Sequence, residues 1–238
     1  MNLVTVYVPA SMEIVCDPPK ALIVKRLPDD GNGVFSEESA EALSLPPNVS
    51  AVAAGMGMNT AEETVPFLKK LMAVTQCPLL LDADALNLIA KRPALLYELG
   101  TATVITPHEG EMKRLEAAIG LPSARDRVER ADALARFTAL HVVLKGVRTV
   151  VMSPHGDYAL NLSGSPVLAT AGSGDVLSGI IAALAASSFS LFDAAKDGVY
   201  LHGLLGELDA PFAMRGLIAD DLLTRIPRAF DFIRTGGI

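Results

Sequence analysis

Asp175 follows a run of small residues, Thr170-Ala171-Gly172-Ser173-Gly174, and precedes an apolar helical pattern at Val176, Leu177, Ile180, Ile181 and Leu184. Gly172 and Gly174 lack a Cβ, so the backbone there can take positive φ and approach a ligand closely. N–H groups opening the helix face the loop, and the helix dipole favours negative charge at that end. A carboxylate repels the anion that those amides attract. The conflict resolves if the amides hold phosphate oxygens while Asp175 takes a proton from an attacking hydroxyl. The alternative is a Gly-rich turn with Asp175 as the helix N-cap. One Gly-rich loop does not decide between them.

Other polar residues stand where apolar runs end. Leu79-Leu80-Leu81 leads into Asp82-Ala83-Asp84-Ala85-Leu86-Asn87. There Asp84 is read first as a helix cap, and Asp82 could orient a magnesium-bound water or a neighbouring loop. In Thr106-Pro107-His108-Glu109-Gly110-Glu111-Met112, Thr106 is expected as N-cap, Pro107 at the first helical position and Glu109 closing a capping box. That leaves His108 free either to donate to a ligand or to face water. Lys145-Gly146-Val147-Arg148-Thr149 follows Val142-Val143-Leu144, where Lys145 is either a phosphate contact or a solvated loop lysine. Asn161 to Pro166 could be no more than a turn-rich connection.

The elements that must position these residues alternate. Leu3 to Val8 is expected as a buried strand, and a short strand is read at Ala21 to Val24. A helix is predicted to start at Ser36, a strand at Val49 to Ala54 before Gly55-Met56-Gly57, and a helix over Thr60 to Val74 with Leu68, Leu71 and Met72 inward. Apolar strands at Pro78 to Asp82, Thr103 to Ile105 and Val142 to Leu144 follow, with a helix over Ala85 to Ala90. Thr149 to Met152 and Tyr158 to Leu160 read as a hairpin, and the rest is mainly helical. Buried strands alternating with helices imply a mostly parallel sheet covered on both faces. In such sheets ligands bind beyond the carboxyl ends of the strands, where the polar segments fall.

With 238 residues, half of them apolar, the chain can bury a full core in one domain. A net charge of −7 without a basic run argues against a nucleic-acid surface. No apolar run is long enough to span a membrane, and the N-terminus lacks the features of a signal peptide. Cys16 and Cys77 are read as isolated thiols in a reducing cytoplasm. The four histidines show no zinc-ligand spacing.

Taken together, Gly55-Met56-Gly57, the Asp82–Asn87 and Thr106–Met112 segments, Val143-Leu144-Lys145-Gly146, Ala169 to Leu177 and Gly198-Val199-Tyr200-Leu201-His202-Gly203 resemble the ADP/ATP-dependent NAD(P)H-hydrate dehydratases, a branch of the ribokinase-like superfamily. The resemblance runs on to Gly216–Leu222. It implies a single ribokinase-like α/β domain over residues 1–238, three-layered, with a small hairpin near 149–160. The implied reaction repairs hydrated NADH or NADPH: ATP or ADP phosphorylates the C6 hydroxyl, and loss of phosphate restores the ring double bond. By resemblance Asp175 is the catalytic base. Lys145, Gly146, Val147, Arg148, Thr149, Ser165, Leu168, Ala169, Thr170, Ala171, Gly172, Ser173 and Gly174 hold the nucleotide. Gly57, His108, Glu109, Gly110, Glu111, Met112, Lys113, Arg114 and Asp175 line the hydrate site. Mg2+ is expected with the nucleotide. A homo-oligomer and an NAD(P)H-hydrate epimerase as pathway partner are also implied.

The sequence departs from that pattern in places. Ala171 stands where the family has another glycine and is expected to resist positive φ, and Asn59 replaces the last glycine of the Gly55 motif. The family also carries a strand, a Gly-Gly-Ser loop and a helix ahead of the strand resembling Leu3-Val4-Thr5-Val6. The chain is therefore expected to be short at its front, with an exposed sheet edge or a partner covering it. A vitamin-precursor kinase of the same superfamily and a nucleotide-binding remnant without catalysis are the competing readings.

Overall fold

In a computed structural model, the structure describes residues 3–14, 21–122, 126–208 and 217–236. Cys16 and Gly216 lie outside them. Strands β3 (Val52–Ala54), β4 (Leu79–Leu81), β5 (Thr103–Ile105) and β6 (His141–Leu144) lie side by side in chain order, all parallel. Strands β7 (Val150–Met152) and β8 (Tyr158–Leu160) complete this six-stranded sheet in antiparallel pairing. The turn at Gly156 reverses the chain between them, with φ at 96°.

Alternation along the strands builds two cores. Leu79, Leu81, Ile105, Val142 and Leu144 point to one face, where they pack with helices α2 (Thr64–Val74), α3 (Ala83–Lys91), α4 (Glu109–Ile119) and α5 (Arg127–Thr138). Leu80, Val104, Val143 and Val151 point to the other, against Leu177 and Ile181 of α6 (Ser173–Ala185) and Ala195 and Val199 of α7 (Leu191–Glu207). Helix α8 (Ala219–Arg234) closes a third cluster with α6 and α7 through Leu222 and Ala229. Strands buried on both faces account for the near-continuous apolar runs in the sequence.

One expected strand behaves differently. β1 (Val4–Pro9) and β2 (Leu22–Leu27) pair in parallel as a separate two-stranded sheet. Tyr7 and Leu27 join the main core, near α1 (Glu37–Ala42) and its neighbours. Val4 and Val6 stay exposed, as does Leu3 at 60%. Leu3 to Val8 is thus not the doubly buried strand expected from its composition, because a two-stranded sheet is packed here through alternate residues only. Helix α5 was not legible as an element beforehand. Its signal is present in Asp126, whose side chain accepts from the amides of Val128 and Glu129, and in buried Ala131, Leu134 and Ala135. Among the described residues no helix is long and apolar enough to cross a membrane.

Candidate active site

The carboxyl ends of β3 to β6 and the N-terminus of α6 converge. Gly172 caps α6 in the left-handed region, at φ 81° and ψ −11°. Asp175 therefore lies inside the first turn and does not cap the helix. The positive φ falls at Gly172, so Ala171 is spared the strain expected of it. Amides of Ser173 and Asp175 turn back to the carbonyls of Thr170 and Gly172, at 3.3 and 3.0 Å. Among the described residues the amides of Gly172 and Gly174 have no hydrogen-bond partner. Two such amides at the positive end of a thirteen-residue helix have the geometry of an anion cradle.

Asp175 lines a cleft of about 520 Å³ whose walls are mostly apolar, among them Val176, Ile180, Leu223 and Phe230. Burial against them raises its carboxyl above the ordinary carboxylate range. The nearby Asp82 charge pushes the same way, and Lys145 opposes both. A carboxylate whose proton affinity is raised is a better general base.

Lys145 completes the cradle from β6. Its Nζ would sit 3.5 Å from a Cβ placed on Gly174, an ordinary contact distance that puts the ammonium directly beside the loop. The ammonium donates to Asp82 Oδ1 at 2.5 Å, and Ser178 Oγ of α6 donates to Asp82 Oδ2 at 2.8 Å. Asp82 is also the true N-cap of α3, accepting from the Ala83 amide at 2.7 Å. Asp84, expected in that role, instead accepts from the Asn59 amide at 2.9 Å. Asn59 occupies φ 76°, a conformation asparagine tolerates better than most residues. With only 1% of its surface exposed and both oxygens engaged, Asp82 is not oriented toward a solvent-borne metal. On the other side His202 of α7 places Nε2 3.0 Å from both the hydroxyl and the carbonyl of Ser173. Burial lowers the His202 pKa to about 4, so the imidazole holding the loop is neutral near pH 7.

Beside Lys145 lies His108, the two backbones joined by a parallel β-bridge with the Lys145 amide donating to the Pro107 carbonyl. The helix start expected at Thr106 falls two residues later. His108 is the cap, its Nδ1 accepting from the amides of Gly110 and Glu111 at 2.9 and 3.3 Å. The reciprocal bond runs from the His108 amide to Glu111, not to Glu109. An Nδ1 that accepts backbone N–H groups leaves the ring proton on Nε2, which lies 3.3 Å from the Glu111 carboxylate while the side chain stays half-exposed.

The remaining predicted site residues divide. Gly57 takes φ 66° in the turn after β3, and a Cβ on its neighbour Gly55 would meet the Asp82 carbonyl at 1.9 Å. Gly146 and Arg148 take positive φ, Thr149 Oγ1 closes the turn onto the Gly146 carbonyl at 2.9 Å, and Val147 is 89% exposed. Lys113 and Arg114 lie on the open face of α4, with Arg114 Nε donating to Asn87 at 2.9 Å. Other groups are committed elsewhere. Met112 is fully buried in the core, Glu111 is buried in its capping role, and Glu109 pairs with Arg127 and Arg130. Ser165 Oγ donates to the Gly206 carbonyl at 2.6 Å, and Leu168 packs against Gly206. These side chains shape the loops and do not present free groups to the cleft.

Sequence reasoning passed over Arg127. Its Nη2 donates to the Leu144 carbonyl at 2.8 Å, and a Cβ on Gly146 would stand 3.1 Å from its guanidinium. It supports the Lys145 turn from α5. Among the described residues no group of three or more His, Cys, Asp or Glu could hold a metal ion.

Comparison with known proteins follows the same geometry. A family model described as NAD(P)H-hydrate dehydratase matches residues 1–228. The chain is 37% identical over 229 residues, 95% of its length, to the bifunctional NAD(P)H-hydrate repair enzyme Nnr of Moorella thermoacetica, and spans 43% of that relative. It is 34% identical over 194 residues to the ADP-dependent (S)-NAD(P)H-hydrate dehydratase of Neisseria meningitidis, covering 78% of this chain and 64% of that one. Among solved structures, the ADP/ATP-dependent NAD(P)H-hydrate dehydratase of Bacillus subtilis, co-crystallised with ATP/Mg2+, superposes with a TM-score of 0.71 at 29% identity. That match covers 89% of this chain and 72% of the other. A hydroxyethylthiazole kinase protein from Pyrococcus horikoshii shares the fold at a TM-score of 0.63 and 16% identity.

Proposed function

The chain belongs to the NAD(P)H-hydrate dehydratase family, and from that membership we propose that it returns NAD(P)H hydrate to NAD(P)H at the expense of ATP or ADP. The observation that carries the reading is the position of Asp175. It stands in the first turn of α6, one residue beyond an amide with no partner among the described residues, and within reach of the Lys145 charge.

In this reading the amides of Gly172 and Gly174 and the Lys145 ammonium hold the phosphates, stabilising charge as the phosphoryl group moves. Asp175 takes the proton of the C6 hydroxyl while the hydroxyl oxygen bonds to phosphorus and the nucleotide leaves. The resulting phosphate ester then eliminates: the C6–O bond breaks with inorganic phosphate leaving, the C5–H proton passes to the departing phosphate or to water, and its electron pair closes the ring double bond. His108, beside Lys145 beyond β5, is the group that contacts the hydrate in this reading. Mg2+ would travel with the nucleotide and add positive charge at its phosphates. An NAD(P)H-hydrate epimerase is the pathway partner in this reading, because Nnr relatives are bifunctional repair enzymes; a cytoplasmic homo-oligomer is carried over from the family resemblance alone.

The test is direct. Purified chain is mixed with NADH hydrate and either ADP or ATP, and both NADH absorbance and phosphate release are followed. One phosphate per NADH regained supports the reading. Nucleotide consumed with a hydroxyethylthiazole-type alcohol, and none with the hydrate, replaces it with the kinase reading that shares this fold.

A further inference from the structure

The carboxylate at Asp82 has no place in the reaction just described, yet it lies at its centre. It is almost fully buried and joins segments far apart in the chain: the tip of β4, Lys145 beyond β6, and Ser178 one turn into α6. Burying a charge is costly, and one near an anion cradle also works against phosphate binding. A fold that needed only a cap for α3 could use a neutral residue here.

We propose that Asp82 is a positioning residue that keeps the Lys145 ammonium in the cradle and away from the Asp175 carboxylate, while Ser178 locks α6 to the same anchor. The proposal rests on the reading of Asp175 as the base. A lysine has four rotatable bonds and can place its charge anywhere within several ångströms. With Asp82 as counter-ion, Nζ is held at 2.5 Å from a fixed oxygen and beside Gly174, where phosphate oxygens must arrive. Without it, the carboxylates that remain to attract Lys145 are those of Asp175 and Glu111, both of which feel its charge. A base paired to an ammonium holds its proton less strongly and transfers it less well. The charged and titratable groups around Asp175 are Asp82, Lys145, Glu111 with His108, neutral His202 behind Ser173, and Asp220 of α8 across the cleft. Of these, Asp82 and Lys145 act on the carboxyl directly and with opposite sign.

The experiment uses Asp82→Asn, which keeps the size and the acceptor for the Ala83 amide and turns an NH2 donor toward the Ser178 hydroxyl, which can accept in its place. The titration of the Asp175 carboxyl is followed by carbon NMR in the folded protein without ligands. Its midpoint is expected to fall by roughly one pH unit in Asp82→Asn and to rise in Lys145→Met. In turnover of NADH hydrate, kcat should drop about 10- to 100-fold with little change in KM, and the acid limb of kcat/KM should move to lower pH. An unmoved Asp175 midpoint in folded Asp82→Asn overturns the proposal, and so does a kcat loss matched only by a lower melting temperature. Because the NMR titration needs no turnover, a wild-type chain inactive on the hydrate would sink the proposed function and still leave this arm decisive.

Discussion

Asp175 must give up its proton before it can accept one from a hydroxyl. Its proton affinity is raised mainly by burial against the apolar cleft, with Asp82 adding to the effect and Lys145 opposing it. Activity that depends on the ionised form is therefore lost as pH falls through a value above the usual carboxylate range. The acid limb of kcat/KM should report that value, and Lys145→Met should carry the limb to higher pH. A limb at the ordinary carboxylate position, unmoved by that substitution, would contradict the assignment. At this scale the sequence was informative about residue types and much less about their partners. The Gly172–Asp175 loop was visible from small residues preceding an apolar helix. The Asp82–Lys145 pair was not, because the two residues follow β4 and β6, strands separated by β5 in both the chain and the sheet, and no local pattern encodes that neighbour. The caps expected at Thr106 and Asp84 were displaced for a related reason: His108 and Asp82 reach the free helix amides from where the strands end.

Helix α6 does its work through its N-terminus, which is held by a left-handed glycine below and a neutral histidine behind. Gly172→Ala would force φ near +81° on a residue with a Cβ and bring that atom to 3.0 Å from Ala219. The cost is about 1 kcal/mol or more, so ADP affinity measured by calorimetry should fall at least about 5-fold. His202 makes a separate prediction about stability. Its folded pKa, about 4, is depressed from 6.5, so the unfolded chain binds the proton first. The stability that depends on a neutral His202 is fully present above pH 6.5 and is lost progressively as pH falls toward 4. The loss amounts to about 3 kcal/mol at most. Urea unfolding of the wild type across that window should show this decline, and His202→Asn should flatten it. A decline of the same size in the variant would place its origin elsewhere. Helix α5 shows what periodicity alone did not reveal. Only part of its surface is apolar, and its inner face also carries Arg127 and Arg130, which read as solvent residues until their partners are known.

Across the whole molecule, the six-stranded sheet brings the site together at one edge, and buried ion pairs hold the helices that frame it. Arg130 on α5 binds Glu116 through two bonds of 2.7 and 2.9 Å and Glu109 through a third of 2.7 Å. Because both Arg130 and Glu116 are buried, removing the guanidinium strands a carboxylate in the core. Arg130→Met should destabilise the fold by about 3–5 kcal/mol in chemical denaturation, and Glu116→Gln in the same background should recover part of that loss. No recovery would show that the two charges act independently. The layered architecture was legible because apolar runs of the right length alternate with helical periodicity. The separate β1–β2 sheet was not, since Leu3-Val4-Thr5-Val6 carries the same composition as a buried strand and exposes its valines nonetheless.

The claim most open to direct refutation is that Asp175 accepts the proton from the hydrate. Wild type and Asp175→Asn, each shown to be folded and to bind ADP, are compared for regain of NADH from NADH hydrate. The account predicts full conversion by the wild type and at least a ~10³-fold lower rate in the variant, with ADP affinity within a few-fold. Turnover by Asp175→Asn near the wild-type rate would contradict it.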